Sequence, residues 1–282
     1  MRNTFSYYII LYLHTDKNIN NTKKYSERIN DIAIVQLDTS GFENLSEKQK
    51  KLTFHLAQAG LWGRFISIDQ GSVHNIPLFE NLINLYEKLD DSHELKKMVH
   101  ESLFMMFTHV GIYHNMSGEI LKLPLEPLVL KKYSDEYLEI AQINKIWFDI
   151  QLPQFRTVQN DFDDVVKLSG GNFYSNLTTE EVTNFRNENY PKHTDDEIPP
   201  YGFNQRLVKE NNHIIAQTIS AEGLYSKYVN NIIENLEYAL EYTENENQHE
   251  SIKTLIQFYK TGDAKDFDTH CVAWTKDRDS SI

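Results

Sequence analysis

The sequence has a single cysteine, Cys271, among its 282 residues. One thiol cannot close an internal disulfide, and it cannot by itself supply a thiolate metal cluster. Three common site motifs are also missing: the G-x-G-x-x-G and G-x-x-x-x-G-K-[ST] phosphate loops and the G-x-S-x-G nucleophile elbow. The glycine pair Gly170-Gly171 therefore does not predict a phosphate site, and no segment predicts a nucleophilic active site.

Basic residues and long apolar runs are scarce as well. The chain has 28 Lys and Arg residues against 41 Asp and Glu residues, so its formal net charge is -13. The basic residues are scattered, which argues against nucleic acid as a partner. The apolar segment from Phe5 to Leu13 is far shorter than the ~20 residues that span a membrane as a helix. We expect no membrane partner and slightly favour a cytoplasmic location, although this short segment leaves secretion open.

What the chain does contain is typical of a folded domain. Aromatic residues make up 12% of the sequence and charged residues 24%, a composition that supports a sizeable core. The polar stretch Asp16 to Lys24 reads as a linker. We therefore predict an N-terminal extension over residues 1–24 and one domain over residues 25–282, with a first strand at Ile32 to Leu37.

Helical patterns dominate the first half of the chain. Ser46 and Gln49 form a capping box before apolar residues that recur at helical spacing. The predicted helices are one from Ser46 to about Arg64, one that begins at Pro77, and one that begins after Asp91 or Ser92 and runs into Phe104.

The second half mixes strands and helices. We predict a strand at Ile146 to Leu152 and a second capping box formed by Thr178 and Glu181. A hairpin is predicted around Asn211-Asn212, because asparagine tolerates the positive φ of a tight turn. Apolar residues then recur at helical spacing from 225 to 239 and again from 252 to 259, as one long helix or as two helices joined by a short turn, followed by a cap at Gly262 and a restart at Asp263.

The stretch Phe104 to Gly118 is the most informative one. It begins with an apolar run and changes within a few residues to clustered polar groups, a pattern that is typical of a site wall. The alternative is a buried helix that ends in a capped turn at Met116 to Gly118. The polar residues of this cluster are His109, Tyr113, His114, Asn115 and Ser117.

Two histidines upstream resemble a zinc helix but lack its spacing. His93 is followed by Glu94, and the second histidine, His100, comes seven residues after the first. A zinc helix places its histidines four residues apart so that both imidazoles reach one ion. We expect no metal here, and an independent metal site using His93, His100 or His109 is the weaker alternative.

Four segments together resemble the N-terminal part of the dipeptidyl-peptidase III family, especially its bacterial branch. The resemblance extends in order, with similar spacing, over roughly Tyr25 to Ile282. The segments are Gly41 to Lys50, Phe104 to Met116, Tyr201 to Glu210, and Gly223 to Asp277.

This resemblance implies a fold and an activity. Family members are two-lobed zinc exopeptidases that release dipeptides from peptide N-termini, with zinc held by an H-E-x-x-G-H helix and an E-E-x-R-A-E helix. Neither motif occurs in these 282 residues. The chain resembles the lower lobe, in which helices pack around a small β-barrel or antiparallel sheet. We therefore expect a helix-rich α+β fold, truncated at its C-terminal end, with no catalytic residue and no zinc site of its own.

The same resemblance implies a binding surface. The family segment that matches Tyr113 to Gly118 lies along the peptide cleft, so the implied substrate contacts are Tyr113, His114, Asn115 and Ser117. The sequence departs from the family after this point, because the family's K-F-V-P is reduced to Lys122-Leu123-Pro124.

Two functions follow from these expectations. The chain is either the N-terminal part of a dipeptidyl-peptidase III-like enzyme, inactive alone and completed by a catalytic lobe from a separate chain, or a stand-alone domain that binds peptides or other proteins. In the first case we expect exposed apolar surface near the C-terminus, at Phe267, Val272 and Trp274.

Overall fold

The computed structural model of the protein describes residues 27–29, 32–34, 40–160, 164–190 and 202–282. The apolar segment Phe5 to Leu13 and the acidic and proline-rich loop at 195–200 lie outside these ranges. The chain divides into two compact units, residues 1–44 and 45–282. The boundary predicted between residues 24 and 25 stays a prediction, because it also lies outside the described residues.

In the first unit, strand β1 (Glu27–Ile29) pairs antiparallel with strand β2 (Ile32–Ile34). A short helix, α1 (Ser40–Glu43), follows. The strand predicted at Ile32 to Leu37 is confirmed over its first three residues.

The second unit is rich in helices. Its helices are α2 (Glu47–Gly71), α3 (Asn75–Lys88), α4 (Glu94–His109), α5 (Pro127–Lys132), α6 (Leu138–Trp147), α7 (Val165–Leu168), α8 (Thr179–Asn189), α9 (Ser226–Leu240), α10 (Glu246–Thr261) and α11 (Ala264–Lys276). Its strands are β3 (Tyr174–Ser175), β4 (Gln205–Glu210) and β5 (His213–Thr218). The expected helix-rich α+β class is confirmed.

Helix α2 begins as predicted but ends later. The Ser46 side chain accepts a hydrogen bond from the Gln49 amide at 3.3 Å, and the Gln49 side chain accepts one from the Ser46 amide at 2.9 Å. The end expected at Arg64 was wrong, because the buried Ile66 and Ile68 continue the packed face to Gly71.

Helices α3 and α4 start at different residues from those predicted. Helix α3 starts two residues before Pro77. The cap of α4 is His93 rather than Asp91 or Ser92, and its Nδ1 accepts the Leu95 amide at 3.1 Å. Leu95 and Val99, in the first two turns of α4, are completely buried. The start of the helix therefore lies next to the core.

The end of α4 differs from the stop predicted at Met116 to Gly118. The helix ends at His109, where Val110 adopts a φ of 60° and Gly111 a φ of 140°. The Gly111 amide then donates to the Met106 carbonyl at 2.8 Å, which satisfies the last turn. Only glycine adopts a φ of 140° without strain, so the pair Val110-Gly111 stops the helix.

The strand predicted at Ile146 to Leu152 is wrong. Residues up to Trp147 belong to α6, and the following residues form turns and irregular structure. Ile140 and Ile143 are fully buried on one face of α6, which packs against α3. The apolar residues of this segment therefore serve a helical face rather than a strand.

The hairpin prediction is confirmed. Strands β4 and β5 pair antiparallel, and the connecting residues Asn211 and Asn212 have φ values of 49° and 63°. Strand β3 pairs parallel to β4, so the described residues contain a three-stranded mixed sheet with the order β3-β4-β5. This sheet takes the place of the small barrel or antiparallel sheet that the resemblance implied.

Of the two readings of the last third, two helices joined by a turn is the one observed. Helix α9 ends at Leu240, and Asn245 caps α10. Gly262 ends α10 with a φ of 68°, and the Asp263 side chain caps α11, both as predicted.

One hydrophobic core packs α2 against α9 and α10. All its buried members are apolar and come from these three helices. They are Leu52, Ala59, Ile66, Val229, Ile232, Ile233, Leu236, Ala239, Ile252 and Ile256. Among the described residues, no helix is both long and apolar enough to cross a membrane.

Candidate functional site

The polar cluster predicted from the sequence lies on a tight turn after α4, which we call the central turn (residues 110–119). The His114 amide donates to the Glu119 carbonyl at 2.8 Å, and the Gly118 amide donates to the His114 carbonyl at 2.8 Å. Tyr113 and Ile120 form an antiparallel β-bridge across the turn.

One buried side chain fixes the start of this turn. The Asn75 amide donates to the Ile68 carbonyl at 2.7 Å, and its oxygen accepts the Ile112 amide at 3.0 Å. Asn75 is completely buried. It therefore connects the end of α2 to the central turn through both halves of its amide. Sequence reasoning missed it, because an asparagine at a helix start carries no pattern that reveals long-range partners.

Tyr113 anchors the turn to the interior of the protein. It is only 2% exposed, and its hydroxyl donates to the Pro153 carbonyl at 3.0 Å. Burial raises the pKa of Tyr113 to about 12. A Cβ atom at Gly170 would lie 1.8 Å from this hydroxyl, so the position next to Tyr113 requires glycine. The sequence marked the Gly170-Gly171 pair but not this packing role.

Of the remaining predicted residues, one stabilises the turn and two are exposed to solvent. His114 Nδ1 accepts the amides of Met116 at 3.3 Å and Ser117 at 3.1 Å, so His114 stabilises the turn itself. Asn115 is exposed, and its oxygen lies 3.1 Å from Nδ1 of His109. The exposed Ser117 hydroxyl accepts the Glu119 amide at 3.3 Å.

A cavity of about 220 Å³, which we call the turn cavity, opens beside the central turn. Two of the four predicted contacts, Tyr113 and Asn115, line it together with His109. His114 and Ser117 are not part of its lining. The full lining is Ser67, Gly71, Asn75, His109, Val110, Gly111, Tyr113, Asn115 and Arg156.

A larger cavity of about 530 Å³, the long cavity, shares Ser67 and Val110 with the turn cavity. Its wall is mostly apolar, with a few polar side chains. The lining is Gly60, Gly63, Arg64, Ile66, Ser67, Gln70, Val110, Phe203, Asn204, Ile219, Ile232, Phe258 and Tyr259. Sequence reasoning found neither arginine of the two linings, because nothing in their local patterns singles them out.

A half-buried hydrogen-bond network centres on Asp69, which precedes Gln70 of the long cavity. The Asp69 carboxylate accepts the Tyr225 hydroxyl and, at 3.0 Å, the Asn172 side-chain amide. A nitrogen of the Arg206 guanidinium lies 3.9 Å from the same carboxylate. Burial and then the hydrogen bond to Asp69 raise the pKa of Tyr225. Asp69 thereby connects α2 to the start of α9 and to β4.

Comparison with known proteins bears on the family and the fold. Residues 202–282 match the model of peptidase family M49. The resemblance to dipeptidyl-peptidase III is confirmed. Dipeptidyl peptidase 3 of Dictyostelium discoideum is 25% identical over 279 residues, which covers 88% of this chain and 39% of that protein.

Solved structures of dipeptidyl-peptidase III show the same fold. The enzyme from Caldithrix abyssi superposes with a TM-score of 0.55 at 16% identity, covering 85% of this chain and 35% of that one. The enzyme from Corallococcus sp. strain EGB has the same TM-score and identity, with 87% of this chain and 35% of that one covered. The present chain thus spans well under half the length of these dipeptidyl-peptidase III relatives.

M49 is a zinc metallopeptidase family, but His93 and His100, at the cap of α4 and within it, do not fit zinc. Nδ1 of His93 caps the helix, and the His93 ring packs 4.8 Å from the ring of Tyr133. His100, seven residues further on, packs instead against Tyr86. Within the described ranges, no group of three or more His, Cys, Asp or Glu side chains is placed to hold a metal ion.

The expected apolar surface near the C-terminus is present in part. Val272 is 51% exposed and Trp274 is 65% exposed on α11. Phe267 differs from expectation, because its ring packs 4.9 Å from Phe203 and 5.0 Å from Phe258.

Proposed function

We propose that this chain forms the peptide-binding lobe of a dipeptidyl-peptidase III-like peptidase and that alone it releases no dipeptides. The observation that carries the proposal is the turn cavity. It gathers Tyr113 and Asn115, from the segment that we expect along the peptide cleft by the family resemblance, together with His109.

The chemistry of the turn cavity suits a peptide. A peptide backbone needs hydrogen-bond donors and acceptors along its length, and the Asn115 amide supplies both. Arg156 adds further donors, while the buried Tyr113 and Asn75 hold the cavity wall in place. Because Asn75 and His114 fix the backbone of the central turn, the polar groups are positioned before a ligand arrives, which lowers the entropy cost of binding.

The sequence supports the second half of the proposal. Hydrolysis of a peptide bond by a zinc peptidase requires a metal-bound water and a general base. The two motifs that carry these groups in the family are absent from the 282 residues. In this proposal the catalytic lobe lies outside these 282 residues.

The alternative, a stand-alone peptide-binding domain, has one specific observation in its favour. Residues 45–282 form a compact unit with its own hydrophobic cores, one of which packs α2, α9 and α10. A coding sequence that continues past Ile282 with both zinc motifs would favour the lobe, and one without them would favour the stand-alone domain.

Both the lobe and the stand-alone domain are proposed to bind peptides, and peptide binding by the purified chain tests this. We expect calorimetry to detect binding of tetra-alanine, and we expect Asn115→Ala to raise the Kd by roughly 3- to 10-fold, since one hydrogen bond contributes about 0.5–1.5 kcal/mol. Asn84→Ala, an exposed asparagine on α3, is the matched control and should leave the Kd unchanged. Absence of tetra-alanine binding would contradict the proposal.

Catalysis is tested on the same sample. We expect no tightly bound zinc and no release of dipeptide from an arylamide substrate after zinc is added. Stoichiometric zinc together with dipeptide release would overturn the proposed inactivity, because the metal would then be built from side chains outside both family motifs.

A further inference from the structure

One face of α2 runs along both cavities, and we call this surface the α2 groove. Gly60, Gly63, Arg64 and Ser67 line the long cavity, and Ser67 and Gly71 line the turn cavity. Gly60, Arg64, Ser67 and Gly71 are spaced three or four residues apart, so they lie on the same side of the helix, and Gly63 borders this row. The helix rises roughly 16 Å from Gly60 to Gly71, at about 1.5 Å per residue. An extended peptide of about five residues covers this length, at about 3.3 Å per residue.

The α2 groove is open above Gly60 and Gly63, whereas Gly71 packs against Asn75. A Cβ atom at Gly60 would have no neighbour within 4 Å, and one at Gly63 would meet only Cδ1 of Ile232 at 3.9 Å. Ser67 is exposed between them and Gly71. A bound chain can therefore approach the α2 backbone closely, while Phe203 and Phe258 of the long cavity offer apolar contacts to its side chains.

Two arginines line the α2 groove, and neither is neutralised. Arg64 lines the long cavity and Arg156 the turn cavity, and both are half-buried. Among the described residues, neither guanidinium has a hydrogen-bond acceptor or an ion-pair partner. The chain carries 41 acidic against 28 basic residues, so carboxylates are abundant elsewhere on it.

Among the described arginines outside the cavities, Arg206 and Arg186 differ in this respect, whereas the exposed Arg278 does not. The Arg206 guanidinium donates twice to the side-chain oxygen of Gln217, at 3.0 and 2.9 Å. Arg186 donates to the Tyr174 hydroxyl at 2.8 Å. The two cavity arginines thus keep their donors for a ligand, and a planar guanidinium matches the two oxygens of a carboxylate.

We propose that the α2 groove binds short peptides that carry carboxylate groups, with Arg64 and Arg156 as the residues that bind the carboxylates. This inference rests on the proposed function and adds the charge of its ligand. The carboxylate is either the peptide's C-terminus or an acidic side chain, and the two sources are separated by the choice of peptide.

Three tetrapeptides test the inference by calorimetry on the full chain. The first is tetra-alanine with glutamate in place of its third alanine, and the second has glutamine at that position. The third is the glutamine peptide with a C-terminal amide. We expect the Kd to rise about 10- to 100-fold where a bound carboxylate is removed, the range for losing a hydrogen-bonded charge. A rise between the first two identifies the side chain, and a rise between the last two identifies the C-terminus.

Variants assign the residues. Arg64→Gln and Arg156→Gln should each weaken binding of the glutamate peptide and reduce the differences among the three peptides. Arg64→Lys and Arg156→Lys keep the charge without the fork of donors and should weaken binding less. Arg186→Gln is the matched control and should leave all three Kd values unchanged, and melting temperatures establish that each variant is folded.

Equal affinity for all three peptides would overturn the carboxylate inference while leaving the proposed peptide binding intact. Unchanged affinities in folded Arg64→Gln and Arg156→Gln proteins would overturn it as well. If none of the peptides binds, both the inference and the proposed function fail.

Discussion

Asn75 illustrates how a single side chain positions the candidate site. It is fully buried and bonds to Ile68 and Ile112 through both halves of its amide. We predict that Asn75→Ala lowers the free energy of unfolding by roughly 2–4 kcal/mol, because it leaves a buried carbonyl and a buried amide without partners at about 1–3 kcal/mol each. Urea denaturation of the variant and the parent protein measures the difference.

The matched control for this prediction lies on the same helix. Asn84 is exposed, so Asn84→Ala should change the free energy of unfolding by no more than about 0.5 kcal/mol. Equal stability losses in the two variants would show that Asn75 contributes only its helix propensity.

At the scale of residues, the sequence predicted which segment carries the polar cluster of the candidate site but not the partner of each side chain. Tyr113, His114 and Asn115 were all expected to contact substrate. In the structure Tyr113 is buried against Pro153, His114 holds the turn, and Asn115 faces the turn cavity. Residue type predicts a polar cluster, whereas the direction of each side chain depends on the turn geometry and on partners from distant segments.

At the scale of elements, the start of α8 shows how local and long-range contacts combine. Thr178 and Glu181 form the predicted capping box, and Glu181 also pairs with Lys209 on β4. The hydrogen bond from Lys209 and then the amide of Thr178 lower the pKa of the Glu181 carboxyl. The charged form of Glu181 therefore connects a helix start to the sheet.

This lowered pKa predicts a pH dependence of stability. A carboxyl whose pKa is depressed in the folded state stabilises the protein above its ordinary pKa, and this contribution is lost as the pH falls through the folded value. We expect Glu181→Gln to melt at a lower temperature than the parent protein at pH 6 and at nearly the same temperature at pH 3. Calorimetric melts across this range measure the difference.

Glu188→Gln, at the exposed opposite end of α8, is the control. It should shift the melting temperature equally at both pH values. A constant offset for Glu181→Gln as well would contradict the role assigned to its charge.

At the scale of the whole molecule, the exposed side chains of α11 form the most apolar surface near the C-terminus. Trp274 is 65% exposed and Val272 is 51% exposed. We predict that Trp274→Ser reduces the binding of a hydrophobic fluorescent dye and changes the free energy of unfolding by no more than about 0.5 kcal/mol, since the substitution removes few packing contacts.

Trp62 provides the contrast, because it packs 6.1 Å from Phe65 and 6.4 Å from Tyr228. Trp62→Ser should lower the free energy of unfolding by roughly 2–3 kcal/mol, less than a fully buried tryptophan would. Unchanged dye binding in the Trp274 variant would indicate that the exposed apolar surface lies elsewhere.

Local patterns determined much of this protein. The capping boxes at Ser46 and Thr178, the turn at Asn211-Asn212, and the stop and restart at Gly262 and Asp263 all appear as predicted. Each of these features depends on interactions within a few residues, such as a side-chain cap or a tolerated positive φ, so the sequence alone is sufficient to specify it.

Tertiary structure decided the rest. The segment near Ile146 is helical because α6 buries Ile140 and Ile143 against α3, and α2 continues to Gly71 because Ile66 and Ile68 reach the core. The turn cavity lies where Asn75 and Tyr113 hold the central turn against α2 and Pro153. Contacts between residues far apart in the chain leave no periodic signal in the sequence, since each partner is selected by packing rather than by its neighbours.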